Sequence, residues 1–202
     1  MACKGCKALY TNKSIPEQSR DRVNPLRDLE NCVKCGVLLV SYYPDIVDQT
    51  KLIQEATGLE GFIGNLAIVG DFPVGFSWGY RMPIDRTQSV NFPLIRSLFV
   101  ERGINPEKAF YGAETGVVEQ YQGRGIGSAL VSKRILEASK SGLEYFTFRT
   151  INPQMRKIIS DLFSGNSPIE LFNDPETQSL WFSWDFKDFN CETAEKKIRG
   201  LK

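Results

Sequence analysis

The sequence predicts an α+β domain with a mixed, mostly antiparallel central sheet flanked by helices, preceded by a small separate module. Three observations carry that expectation. Short β-rich runs such as "GNLAIVGDFPVGFSWGYRM" and "LEYFTFRT" have the length and residue types of strands. Helical periods separate some of these runs and a turn joins others, the order expected of a mixed sheet. The first 36 residues show little apolar periodicity and hold four of the five cysteines.

Taken in order, "VLLVSYY" (37–43) reads as a strand. "PDIVDQTKLIQEATG" reads as a helix with Pro44 near its first turn, Gly58 as its stop, and Ile46, Thr50, Ile53 and Thr57 on its inner face. The two runs around "GDFP" form an antiparallel hairpin, because Gly, Asp and Pro favour a turn. Residues 83–108 are looser, with a short helix in "FPLIRSLFVERG" stopped at Gly103 and a turn at "INPE". "AFYGAETGVVEQY" is the next strand and leads directly into "QGRGIG". The helix that follows has Ile126, Leu130, Ile135 and Ala138 near one face, Lys133 and Arg134 exposed, and Gly142 as its stop. "LEYFTFRT" is a strand, "NPQMRKIISDLFSG" a helix, and "SLWFSWDF" the last expected element, an aromatic strand.

Composition narrows the function. The 202 residues are 42% apolar and 24% charged, as in an ordinary globular protein, and nothing reads as a membrane span. Lys and Arg number 25 against 24 acids, so no bulk positive field invites nucleic acid. The chain has no histidine, which excludes an imidazole base, a Ser-His-Asp triad and any His-ligated metal. "MACKGCKALYTNKS" lacks a signal-peptide apolar stretch, so a cytoplasmic location with reduced thiols is expected.

The stretch "EQYQGRGIGSALVSKRILEASKSG" places Gly123, Gly125 and Gly127 between a strand and a helix. Small residues there let backbone N–H groups converge on an anion, and the helix N-terminus adds about half a positive charge. A Walker loop would close on Lys-Ser or Lys-Thr, whereas Gly127 is followed by Ser128 and Ala129. A dinucleotide fingerprint would have glycine at the sixth position from Gly123, which is Ser128, and an acid where this chain has Arg149. The blander alternative is that the glycines only permit a tight strand-to-helix turn.

Gln122-Gly123-Arg124-Gly125-Ile126-Gly127 matches Q/R-x-x-G-x-G/A, and on it the sequence resembles the GCN5-related N-acetyltransferases. The resemblance extends over roughly residues 37–186: "AIVGDFPVGFSWGY" looks like that family's second and third strands, and "TGVVEQYQGRGIGSALV" like its fourth strand, loop and third helix. It implies the acyl-CoA N-acyltransferase fold and acetyl-CoA as co-substrate. Gly123, Arg124, Gly125, Ile126, Gly127 and Ser128 would hold the pyrophosphate while Gln122 braces the turn. Val117, Val118 and Glu119 would pair with the pantetheine arm, which Asn152 would also contact. A backbone N–H near Val117 or Val118 would polarise the thioester carbonyl.

The resemblance places the base on the fourth strand, making Glu114 the first candidate and Glu119 the second. Strand alternation puts Glu114 and Val118 on one face and Tyr111, Ala113 and Val117 on the other, unless a bulge resets it. The family's general acid is often a tyrosine seven residues after the asparagine, but that position is Ile159 here. Tyr111, Tyr121 or Tyr145 would replace it, the thiolate would leave unaided, or the domain would be inactive. Trp78, Tyr80, Trp181 and Trp184 either line an acceptor pocket or fill the core, and 83–108 would shape acceptor specificity.

Cys3-x2-Cys6 and Cys32-x2-Cys35 form two knuckles 25 residues apart, the pairing of a four-thiolate metal site. Structural zinc is the expected ion and rubredoxin-like iron the alternative. Seven Lys/Arg against four acids up to Cys35 make a mildly basic segment, and Cys191 is left as a free thiol. The chain is thus read as a zinc-binding module at 1–36 followed by a transferase-like domain at 37–202. Its partners are acetyl-CoA and an amine acceptor, small molecule or protein. The competing reading is a non-catalytic acyl-CoA-binding protein whose zinc module recognises a partner.

Overall fold

The computed structural model describes residues 2–3, 39–40, 46–82, 92–173 and 180–201. Contacts divide the chain into two units, Met1–Glu55 and Ala56–Lys202. In the first, β1 (Ala2–Cys3) pairs antiparallel with β2 (Leu39–Val40). The strand expected over 37–43 is described only at Leu39–Val40, and there it joins this separate two-stranded sheet rather than the central one. Cys6, Cys32 and Cys35 lie outside the described residues, and of Cys3 only the backbone is described. Helix α1 (Ile46–Thr57) ends directly before Gly58, as expected.

The second unit holds a six-stranded sheet in the order β3-β4-β5-β6-β8-β7. β3 (Ile63–Val69) and β4 (Phe72–Arg81) form the expected hairpin, followed by α2 (Phe92–Glu101) and β5 (Ala109–Val117). Then come α3 (Ile126–Ser139), β6 (Tyr145–Thr150), α4 (Pro153–Leu162), β7 (Ile169–Asn173), β8 (Leu180–Asp185) and α5 (Cys191–Arg199). Every pairing is antiparallel except β5 with β6, so the mixed, mostly antiparallel sheet is observed. β7 and α5 were not expected from the sequence. Among the described residues no helix is long and apolar enough to cross a membrane.

Local chemistry sets the boundaries. Asn152 caps α4, its Oδ1 accepting from the N–H of Gln154 and Met155, and Pro153 fits the first helical position because it has no N–H to lose. Asn190 caps α5 by accepting from Thr193 N–H at 2.8 Å. Gly142, at φ 77°, lets the chain leave α3 and turn into β6.

The core lies between one face of the sheet and the helices α3, α4 and α5. Phe110, Phe146, Phe148, Phe182 and Trp184 from the strands meet Val131, Ile135, Ile159, Leu162, Phe163 and Ala194 from the helices. The Phe146 ring centroid lies 6.3 Å from Phe110, 5.9 Å from Phe148 and 6.2 Å from Phe163. Each such fully buried ring contributes about 2–3 kcal/mol by area. The expected inner face of α3 is buried throughout, at Ile126, Leu130, Ile135 and Ala138. Arg134, expected to be exposed, is also buried, at 2% exposure.

Candidate active site

The strands β5 and β6 form a fork. They pair only from Ala109 opposite Tyr145 to Gly112 opposite Phe148, after which β5 runs on to Val117 without β6. The divergence begins at a bulge: Glu114 faces Trp78 and Gly112 faces Gly79 on β4, so Ala113 is an extra residue. An inserted residue bends its strand and increases the local twist, which turns β5 away from β6.

Beyond the bulge β5 still pairs with β4, to Val117 opposite Gly75. Val118 N–H donates to Val74 O at 2.9 Å, which makes Val117 and Gly75 a pair that does not bond to itself. The N–H and C=O of Val117 therefore point away from β4, into the fork. The Val117 carbonyl accepts from Gln122 Nε2 at 2.9 Å. Of the two N–H groups considered for a thioester oxygen, that of Val118 is thus engaged, and that of Val117 faces the opening.

The chain continues through a single 3-10 turn, Glu119–Tyr121, into the glycine loop. Gly123 and Gly125 have φ of 76° and 84°, a left-handed backbone that disfavours any side chain. Gly125 is the N-cap of α3, and no side chain caps that helix. Its first N–H groups, with the positive end of the helix dipole, are free for an anion. Tyr121 packs against the cluster of Val74, Ile126 and Leu130 under α3, and the Arg124 guanidinium lies 5.3 Å from its ring centroid.

The opposite face of the sheet gathers the titratable groups. Directly opposed residues share a face, so the pairs Trp78 with Glu114 and Tyr80 with Tyr111, together with the Trp78–Tyr80 stack at 5.9 Å, put Glu114 and Tyr111 on one side. Simple alternation separates them, and the extra residue Ala113 is the reason it fails. Tyr80, Tyr111 and Trp181 continue as an aromatic row, at 5.6 and 5.4 Å. Arg149, the first β6 residue past the fork, lies 5.8 Å over Trp181. Burial raises the Glu114 carboxyl above its ordinary value, and the cations Arg149 and then Arg134 oppose the rise. Burial likewise pushes the Tyr111 phenol up to about 12, so it stays protonated at neutral pH.

Other expected residues fall elsewhere. Glu119 is exposed at the start of the 3-10 turn, while Tyr121 packs under α3, away from the face that holds Glu114 and Tyr111. Asn152 Oδ1 is committed to its cap, leaving its amide group for any other contact. Ile159 is fully buried in the core, so that position offers no hydroxyl to the fork. Trp184 belongs to the helical core, whereas Trp78, Tyr80 and Trp181 lie on the Glu114 face. Of 83–108, residues 83–91 lie outside the described residues. The sequence marks Arg149 only as standing where a dinucleotide fingerprint has an acid, and its place beside Glu114 needs the fork to be seen. Cys191 is a free, exposed cysteine at the first position of α5.

No family model matches this sequence, and no curated protein matches it. The chain is similar in structure to an uncharacterized protein from Bacillus halodurans, at 13% identity and TM-score 0.53, over 79% of this chain and 76% of that one. It is also similar to BjaI, a CoA-dependent acyl-homoserine lactone synthase solved with SAM and isopentyl-CoA, at 13% identity and TM-score 0.51, over 82% and 69%. The GNAT domain of S. lividans PAT matches at 19% identity and TM-score 0.47, over 67% and 68%. A six-stranded mixed sheet flanked by helices and forked between its parallel strands is the acyl-CoA N-acyltransferase fold.

Proposed function

We propose that this protein transfers an acetyl group from acetyl-CoA to a primary amine. The observation that carries the reading is the continuity of the fork with the loop. The outward-facing backbone of Val117 leads, through one turn, to the glycines at the uncapped N-terminus of α3. A ligand with an amide-rich arm and a pyrophosphate fits that sequence of groups. N–H groups from Gly123 to Ser128 would receive the pyrophosphate. Val117, Val118 and Glu119, at the end of β5 and the turn after it, would line the path of the pantetheine arm. The Val117 N–H would meet the thioester oxygen and stabilise the charge that develops there.

In this reaction Glu114 takes a proton of the incoming ammonium, and its affinity for protons, raised by burial, suits it to the role of base. The amine nitrogen bonds to the thioester carbon, and the carbon–sulfur bond breaks. Tyr111, on the same face and still protonated, gives its proton to the departing thiolate and regains one from the new amide nitrogen as that sheds its second proton, while Glu114 releases the first to solvent. Trp78, Tyr80 and Trp181 line that face and exclude water from the reacting groups. The two cysteine knuckles at 1–36 are assigned structural zinc from their spacing alone, with iron as the alternative. A closed four-thiolate site has no position for substrate.

Steady-state thiol release from acetyl-CoA with a panel of amines tests the reading. Turnover lost in Glu114→Gln supports it, and tight CoA binding with no turnover on any amine refutes it. That second outcome is what the competing reading, an acyl-CoA-binding protein without chemistry, expects. The burial of Ile159, where the family often places its acid, is the observation in favour of that alternative.

A further inference from the structure

Arg134 is a cation placed where side chains of its type are rarely found. It projects from α3 into the core at 2% exposure, and no carboxylate forms a salt bridge with it among the described residues. Burying an unpaired guanidinium is costly unless its hydrogens find acceptors. Here Nη1 donates to two main-chain carbonyls at once, Trp78 O at 2.8 Å and Glu114 O at 2.9 Å. Those carbonyls belong to the opposed residues that flank the bulge on β4 and β5. The guanidinium carbon lies 5.9 Å from the Phe146 ring centroid. A Cβ at Gly112 would stand 3.0 Å from Nη2 and 2.8 Å from Phe146 Cζ, so the guanidinium occupies the room left by the missing side chain.

We propose that Arg134 is the positioning residue of the acid/base centre: its two carbonyl bonds hold the bulge at Ala113, which turns Glu114 onto the face of Tyr111 and Arg149. The proposal rests on the acetyl-transfer reading for the role of Glu114, but the clamp can be measured without turnover. Without the bulge, alternation would return Glu114 to the face opposite Tyr111. Arginine suits the task because it stays charged: burial lowers it only to about 10. The titratable and charged groups that face Glu114 among the described residues are Arg149 from β6, Arg134 from α3, Tyr111 from its own strand and Tyr80 from β4.

The test is a carboxyl-carbon NMR titration of the full chain, with the Glu114 signal identified by its loss in Glu114→Gln. In Arg134→Met the clamp is gone; a bulge-free register would drive a carboxylate under α3, so this end of β5 frays instead, Glu114 meets water and its midpoint falls toward the ordinary carboxylate value. A charge effect without positioning would instead raise the midpoint, because a neighbouring cation has been removed. A role confined to stability would leave it unchanged while the melting temperature drops. Either of those results overturns the proposal. Should Arg134→Met fail to fold, Arg134→Lys keeps the charge and one carbonyl bond. Its midpoint then falls part of the way, and an unchanged midpoint refutes the clamp. In both variants kcat drops more than tenfold and KM for acetyl-CoA rises as well, since Val117 lies beyond the bulge on the same strand. A wild-type protein that acetylates no amine sinks the reaction reading and leaves the titration to judge the clamp.

Discussion

Two glycines of the loop, two residues apart, are expected to respond to alanine in opposite directions. Gly125 is the N-cap of α3 at φ 84° and ψ −7°, and an added Cβ would meet only Leu201 Cδ2, at 3.8 Å. Space is therefore not its constraint. A side chain in the left-handed region costs about 1–2 kcal/mol, offset by roughly 0.4–1 kcal/mol because alanine also restricts the unfolded chain. The net loss for Gly125→Ala is about 1 kcal/mol. Gly127 lies inside α3 with no positive φ, and its added Cβ would touch Val117 Cγ2 at an ordinary 3.6 Å. Gly127→Ala then gains up to about 1 kcal/mol of helix propensity. For a unit of this size 1 kcal/mol corresponds to ~2–4 °C, so the two variants should melt ~4–8 °C apart, on opposite sides of wild type. Scanning calorimetry of the full chain reads the difference, and CoA titration calorimetry on the same samples tests the loop as a ligand site. Equal melting temperatures would refute the conformational reasoning, and a stabilised Gly125→Ala would reverse it. Gly125→Glu adds bulk and charge at the same point, and unchanged CoA affinity in it would remove the pyrophosphate assignment.

Further expectations follow from the same geometry. Glu114→Gln should lower kcat/KM about 10²–10⁴-fold if Glu114 is the base. Since the folded carboxyl sits above its unfolded value of about 4.3, its contribution to stability is fully present below that pH and is lost as pH rises through the folded value. The variant should accordingly gain in melting temperature relative to wild type between acid and neutral pH, and a difference independent of pH would contradict the burial of the charge. Ile159→Tyr should cost about 1–3 kcal/mol and add no activity, because the side chain enters a filled core rather than the fork. Gln122→Ala removes the bond to Val117 O and should weaken CoA about 3–10-fold with little change in melting, as measured by calorimetry. Asn152→Ala removes the α4 cap and should cost about 0.5–2 kcal/mol in denaturant unfolding.

Much of the architecture was legible because the residues involved obey local rules. The hairpin, the strand into the loop, α3 with its stop at Gly142 and α4 after Asn152 all follow from period, cap and turn chemistry. β7 was missed because "IELFN" is short and carries Glu and Asn, and its only deeply buried side chain is Leu171. α5, "CETAEKKIR", reads as a polar tail, and only the packing of Ala194 against the core reveals its buried face. The candidate site shows the sharper limit. One unopposed residue, Ala113, inverts the face of everything after it, and residue type gives no sign of a bulge. Arg134 was assigned to solvent by its charge, since the carbonyls that accept its hydrogens come from strands that the sequence places 20 and 56 residues away.

The strand order also fixes when this unit can be completed. β7 is made before β8, yet its only partner in the sheet is β8, which sits between it and β6. β7 therefore has nothing to pair with until the last strand has been synthesised, and α5, which packs against α3, comes later still. A chain cut before Leu180 would leave β6 with an unguarded edge and β7 as a loose apolar segment, two features that favour aggregation. Assembly of this domain is in effect locked by β8 and α5, so nascent chains should depend on protection until α5 has been made.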